Sequence, residues 1–382
     1  PTQDRSSAAS DVYKRQLVAL SGSILNTFGK FSVPAATPIF FNLSIILCAI
    51  YLSDYFESPV FALAYGVIIA GIVQLFFQIK FLADLKLLPR FDLKIFNKGT
   101  KKIFNLMIPG ILAGGVVQLN ILIDTIFASL LETGSPTWLY LSDRLIQLPL
   151  GIFGIAIATV ILPKLSSEHV AEKYLEFKEN LRWGIELILI FAIPSSVALF
   201  SLGLPIIELL FVRGNFNESD AIMTAMSLQA FSLGLFAFML IKVLSASFFA
   251  RQDTFTPLII TILSFVMNVF LNYFLAFYLG YGHVGLALGS SIAAIVSVVI
   301  YYLILSRNSF IEVTKESLIS IIKILSANIV FYLVINFFAN NISAINDQWL
   351  SNLVLLFGIL FLIIFYFLIL YLLGFRASFF RR

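Results

Sequence analysis

The chain has 382 residues, of which 60% are hydrophobic and 12% charged, with a net charge of +4. Soluble domains carry roughly 25% charged residues, so this chain has too little polar surface to coat a soluble globule, and it reads as a polytopic α-helical membrane protein. Its apolar runs are too long and continuous for a membrane β-barrel. One cysteine, Cys48, excludes an internal disulfide and a thiolate metal cluster. No Walker loop, HExxH or GxSxG motif occurs, so no nucleotide-driven engine or cofactor site is expected, and no nucleic-acid partner.

In chain order, the first sixteen residues, "PTQDRSSAASDVYKRQ", are polar. They do not form a signal peptide, because the apolar run that follows is interrupted by Asn26 and Lys30 and lacks a cleavage pattern. They read either as a disordered tail or as a non-native leader on a chain without its true N-terminus. A hydrocarbon core about 30 Å thick needs about 20 apolar residues in a helix. Eleven candidate spans follow: 17–31, 36–53, 59–83, 103–130, 138–163, 183–209, 220–249, 256–280, 284–306, 317–340 and 349–374. Cys48 falls within one of them, as a buried small hydrophobe. Between the fifth and sixth, "SSEHVAEKYLEFKENLRW" places Val170, Tyr174, Phe177 and Leu181 on one face. This predicts a separate helix, capped near Ser166 or Ser167, lying in the membrane interface with His169 solvated.

Alternate loops differ sharply in Lys and Arg content. One set carries Lys86, Arg90, Lys94, Lys98, Lys101, Lys102, Lys164, Lys173, Lys178, Arg182, Arg251, Arg307, Lys315, Arg376, Arg381 and Arg382; the other carries Arg213 alone. The basic set, with the C-terminus, is predicted to face the cytoplasm.

Ionisable groups at membrane depth are costly and face a bundle interior or a wet cavity. Asp143 and Arg144 open the fifth segment, and Gln147 shares a face with Arg144. Arg144 reads either as a charge snorkelling to the interface or as a planar cation for an anionic substrate, with Asp143 orienting it or a neighbour. Asp124, with Asn120 on its face, suggests a cation site, a proton carrier or one half of an interhelical salt bridge. Ser264, Asn268 and Asn272 form one polar stripe, which can glue helices or ligate a hard cation. Lys242 sits deep in the seventh segment, Lys30 lies near a turn where snorkelling is the default, and Glu186 and Glu208 read as interfacial. Glycines and prolines, among them Gly151, Gly154, Pro109, Pro149, Pro194 and Pro205, break or thin these helices. Broken helices around a few buried charges are the pattern of an alternating-access transporter.

"ILIDTIFASLLETGSPTWLYLSDRLIQLPLGIFGIAIATVILPKLS" resembles the MurJ/MviN family of lipid II flippases, in the MOP exporter superfamily. "KVLSASFFARQDTFTPL", "GHVGLALGSSIAA" and "ILNTFGKFSVPAATPIFFNLS" fit the same family. The resemblance implies a MOP-type two-lobe fold with a final helix pair, of which this chain supplies the last eleven helices and lacks the first three. It implies a leader (1–16), the second half of the N-terminal lobe (17–83), a cytoplasmic loop (84–102), a C-terminal six-helix lobe (103–306), a helix pair forming a lipid-tail groove (317–374) and a basic cytoplasmic tail (375–382). Arg144 is similar to a family arginine that contacts the substrate pyrophosphate, with Asp143 its acidic neighbour. Gln147, Lys30 and Lys242 join them as candidate substrate contacts. Asp124 and Asn268 resemble members of a sodium site, from which Asn272 departs because relatives place a carboxylate there; sodium, another ion or the membrane potential all stay open as drivers. The implied activity is movement of lipid II from the cytoplasmic to the periplasmic leaflet of the bacterial inner membrane, with no covalent step. Membrane lipids and the cell-wall synthesis machinery are the implied partners. The alternatives are another MOP exporter of drugs or lipid-linked sugars, a non-transporting scaffold and a non-functional fragment. An enzyme acting on isoprenoid pyrophosphates would need a DDxxD or an Arg/His set that the chain lacks.

Overall fold

A computed structural model describes residues 16–56, 60–87, 98–312, 314–342, 348–376 and 379. The leader up to residue 15, and Arg90, Lys94, Arg381 and Arg382, lie outside them. Among the described residues all regular structure is helical, apart from one isolated bridge between Arg213 and Phe216. Eleven helices occur: α1 (16–27), α2 (Ser32–Tyr51), α3 (Val60–Asp84), α4 (Lys98–Ser129), α5 (Ser135–Val170), α6 (Tyr174–Phe211), α7 (Glu218–Ala250), α8 (Phe255–Tyr278), α9 (Gly282–Arg307), α10 (Lys315–Ile342) and α11 (Gln348–Leu372). Ten of them are long and apolar enough to cross a membrane, α1 being the exception. This is a multi-pass membrane protein. The chain divides into two compact units, Pro1–Asn97 and Lys98–Arg382.

The first unit contains α1–α3. Gly29, at φ +73°, ends α1, and the Lys30 amide returns to the Leu25 carbonyl (2.8 Å), a left-handed helix stop that glycine adopts without strain. Pro38 has no N–H for the Pro34 carbonyl, and the Thr37 hydroxyl donates to it instead (2.7 Å). Gln74 Nε2 donates to the Thr37 carbonyl (2.8 Å), tying α3 to α2. Cys48 is buried as a small apolar group.

In the second unit α7 is the central element, buried against α5, α6 and α9. Small residues make this closeness feasible: a Cβ on Gly234 would lie 2.6 Å from the Ser291 backbone of α9, and Ser291 Oγ donates to the Ala230 carbonyl (2.8 Å). α7 starts at a reciprocal cap, with Asn217 Oδ1 accepting from the Asp220 amide (3.0 Å) and Asp220 Oδ2 from the Asn217 amide (3.1 Å). α4 is peripheral and packs chiefly on α8.

Two helices change pitch. Pro149 cannot return a hydrogen bond to Leu145, and α5 passes through a π turn at Leu150–Ile155. α8 does the same at Phe274–Tyr278, just after Asn272. In α6, Pro194 frees the Ile190 carbonyl; the buried Tyr366 hydroxyl of α11 donates to it (2.9 Å), and Asn328 of α10 approaches the same hydroxyl (3.4 Å). At the other end of this contact, Lys178–Glu312 (2.6 Å), Arg182–Glu316 (3.5 Å) and Arg182–Thr314 (2.9 Å) join α6 to the start of α10.

The structure departs from the sequence reading between α5 and α6. No separate interfacial helix forms there. Ser166–Val170 complete α5, residues 171–173 turn with Glu172 at φ 57°, and Tyr174 begins α6. Phe177 and Leu181 are fully buried in the bundle, whereas Val170 and Tyr174 stay exposed at the turn. Asn180 Nδ2 donates to Glu168 Oε1 and closes the hairpin. His169 is half-buried, edge-on to Tyr174 and Phe177. Glu186, read as interfacial, is buried twelve residues into α6, whereas Glu208 near the helix end is exposed.

Candidate functional site

The first turns of α5 are held on one side and open on the other. Trp138 Nε1 donates to Asp220 Oδ1 (2.9 Å), Ser142 Oγ donates to the Thr224 carbonyl (2.8 Å), and Leu145 and Ile146 are buried against α7. The opposite side exposes Tyr140, Arg144, Gln147 and Leu148. The Arg144 guanidinium lies 4.7 Å from the centre of the Tyr140 ring, an attraction between a cation and a π face. Asp143 does not orient Arg144. Adjacent helical residues diverge by about 100°, and Asp143 Oδ1 accepts instead from Gln147 Nε2 one turn on (3.4 Å). The guanidinium rests on an aromatic face with no ion pair to a described carboxylate, and its donors stay available.

Asp124 is bound by two side-chain amides, and of the alternatives open for it the interhelical salt bridge does not form among the described residues. Asn120 Nδ2 donates to its Oδ2 (2.9 Å) and Asn272 Nδ2 to its Oδ1 (2.6 Å). Asn268 links this pair to α9 through Ser290 Oγ (3.0 Å). The Asn268 amide fits its neighbours best with its nitrogen toward Asn120 Oδ1 (2.9 Å) and its oxygen accepting from Ser290 Oγ. Asn272 is fully buried, and its Oδ1 has no partner. Gly289 makes the room: a Cβ there would lie 2.0 Å from that oxygen. The structure therefore brings Asp124, Asn268 and Asn272 together, joined by Asn120 and Ser290. Asp143 is near enough to act electrostatically on Asp124.

Lys242 stands apart from both groups. Lys242 is exposed on α7 and forms no hydrogen bond or ion pair with these residues; Lys30 is exposed at the turn after α1, in the other unit.

A sequence model of the family described as "Lipid II flippase MurJ" matches residues 15–373. The chain belongs to the MurJ family. It is 45% identical over 302 residues to a probable lipid II flippase MurJ of Vibrio cholerae, covering 78% of this chain and 57% of that protein. It is 31% identical over 373 residues to the lipid II flippase MurJ of Burkholderia cenocepacia, covering 96% and 72%. The chain spans 57% and 62% of the length of two curated relatives from Vibrio cholerae and Haemophilus influenzae. A solved lipid II flippase MurJ in an inward closed conformation superposes with a TM-score of 0.65 at 29% identity, over 94% of this chain and 72% of that one. The MATE transporter ClbM in complex with Rb+ superposes with a TM-score of 0.63 at 16% identity, over 80% and 66%, a likeness of fold.

Against this MurJ background, Ser290 and Gly289 are the site residues that sequence reading missed. "ALGSSIAA" has no charge and no polar period, and its role is visible only once α9 faces α8. Tyr140 was passed over because an aromatic in an apolar run reads as lipid-facing filler.

Proposed function

We propose that this chain contributes the second-lobe wall of a cavity that moves lipid II from the cytoplasmic to the periplasmic leaflet by alternating access. The supporting observation is Arg144: an exposed guanidinium nine residues beyond the buried first residue of α5, Ser135, seated on Tyr140 and free of a described carboxylate. A planar fork of donors suits a pyrophosphate, and a cation that gives up no protein ion pair loses little on binding it. Gln147, held by Asp143, lies one turn away as a neutral donor. The reading places residues 103–306 as one lobe, 17–83 as part of the other and 317–374 as the pair beside the lipid tail. It puts the basic loops and the C-terminus on the cytoplasmic face of the inner membrane. Transport changes no covalent bond, so the reading assigns no catalytic group. The membrane potential would favour return of an unoccupied cationic cavity to the inward side, by about 2.3 kcal/mol per charge per 100 mV.

The Asp124 cluster suits a sodium-sized cation by its donor set. The carboxylate of Asp124, the amide oxygens of Asn120, Asn268 and Asn272, and the Ser290 hydroxyl are all hard oxygens, and Asn272 Oδ1 is already without a partner. A bound cation would supply a charge that ties α4, α8 and α9 together. Its arrival would turn amides that now donate to Asp124.

The test is binding of lipid II by the purified chain, followed by native mass spectrometry. Arg144→Ala is expected to lower occupancy by about tenfold, the loss of one charge-assisted contact worth roughly 1.5–3 kcal/mol. Undecaprenyl phosphate should compete poorly. Equal occupancy in wild type and Arg144→Ala would remove the substrate-contact role.

A further inference from the structure

Beside the Asp124 cluster lies an open cavity of about 270 Å³, lined by α4, α7, α8 and α9. Asn120, Asn268 and Ser290 border both. From the cluster, hydroxyls continue along two helices, Ser264 and Thr261 on α8 and Ser297 and Tyr301 on α9. At 1.5 Å per residue, Asn268 to Thr261 covers about 10 Å and Ser290 to Tyr301 about 16 Å. The row runs toward the basic end of the bundle, where the Tyr301 ring packs on Phe248 (5.5 Å) and Phe248 lies under Arg251 (4.5 Å).

The lining is mixed, with a row of hydroxyls along one side and apolar side chains on the other. Ser297 and Thr261 each donate to a carbonyl of their own helix, which leaves oxygen lone pairs toward the cavity. Ser264 makes no hydrogen bond to a described residue, a state that costs free energy unless water meets it. An ordered water needs two to four polar partners, which this row supplies beside the apolar wall of Val116, Phe238, Ile241 and Phe265. No basic side chain lines the space, and the Asp124 carboxylate lies behind its inner end.

We infer that this cavity is an aqueous antechamber through which a small hydrated monovalent cation reaches the Asp124–Asn272 cluster from the basic, cytoplasmic end. The inference rests on the cation-binding reading of that cluster. The route lies inside one lobe, so the cation and a substrate held at Arg144 need not share a path.

The test uses the whole chain with Cys48→Ala, carrying Ser264→Cys or Ser297→Cys, in inside-out membrane vesicles. The probe is a permanently charged trimethylammonium methanethiosulfonate. Both cysteines are expected to react several-fold faster than Phe270→Cys, a control on the exposed face of α8. Sodium chloride in place of choline chloride should slow Ser264→Cys, and Asp124→Asn should abolish that protection while leaving the reaction itself. Reaction no faster than the control at both positions, or faster only in right-side-out vesicles, overturns the antechamber whatever the cluster binds. Fast reaction that sodium leaves unchanged overturns the cation route through the cluster reading, and leaves a wet cavity.

Discussion

At the residue scale, the sharpest constraint is steric. Asn272 Oδ1 occupies the space that any side chain at position 289 would need. Gly289→Ala is expected to cost about 1–3 kcal/mol, the usual penalty of overpacking a closed site, and to lower the thermal midpoint of the detergent-solubilised chain. A midpoint equal to wild type would mean that α8 and α9 separate more readily than the 2.0 Å approach implies. The neighbouring Gly285, whose Cβ would meet the Ala276 backbone at 2.7 Å, offers a second position to confirm the tight seam. Arg144 illustrates what could and could not be read from sequence. Its charge at membrane depth marked it, but which group it would rest on depended on rotamer and helix phase. Sequence adjacency favoured Asp143, and geometry chose Tyr140.

At the element scale, prolines explain contacts that no pattern announces. Tyr366 satisfies an Ile190 carbonyl that exists as an open acceptor because residue 194 is proline. Tyr366→Phe is expected to destabilise the chain by about 1 kcal/mol, the worth of a typical buried hydrogen bond. With Pro194→Ala, which restores an N–H to that carbonyl, the same change should be close to neutral. Additive effects in the double variant would separate the two residues. The eleven helices themselves were legible because apolar runs of the required length leave few alternatives in lipid. Their ends were not. α5 and α6 run to 36 and 38 residues because amphipathic turns at "SSEHVAEKYLEFKENLRW" extend the bundle beyond its apolar core, and Phe177 and Leu181 serve helix packing.

At the scale of the whole molecule, charge placement sets orientation. A fluorescent protein fused after Arg382 is expected to fold and fluoresce, and a cysteine at Asn215 to react with an impermeant thiol reagent from outside the cell. Labelling of Asn215→Cys only after the membrane is opened would invert the topology. The MurJ family match agrees with the resemblance carried by the motifs, and the multi-pass helical build was visible in composition alone. The polar connections inside it were not visible, since Asp124 and Asn272 lie 148 residues apart and only the folded bundle brings them together.

The Ile190 carbonyl also carries a consequence in time. Its partner hydroxyl is encoded 176 residues later. A ribosome adding about 5–20 residues per second needs roughly ten to thirty-five seconds to reach it. For that interval α6 is in the membrane with the acceptor opposite Pro194 open, and α11 is the helix that closes it. Synthesis of α11, not insertion of α6, is the moment at which the Ile190 carbonyl first meets its partner.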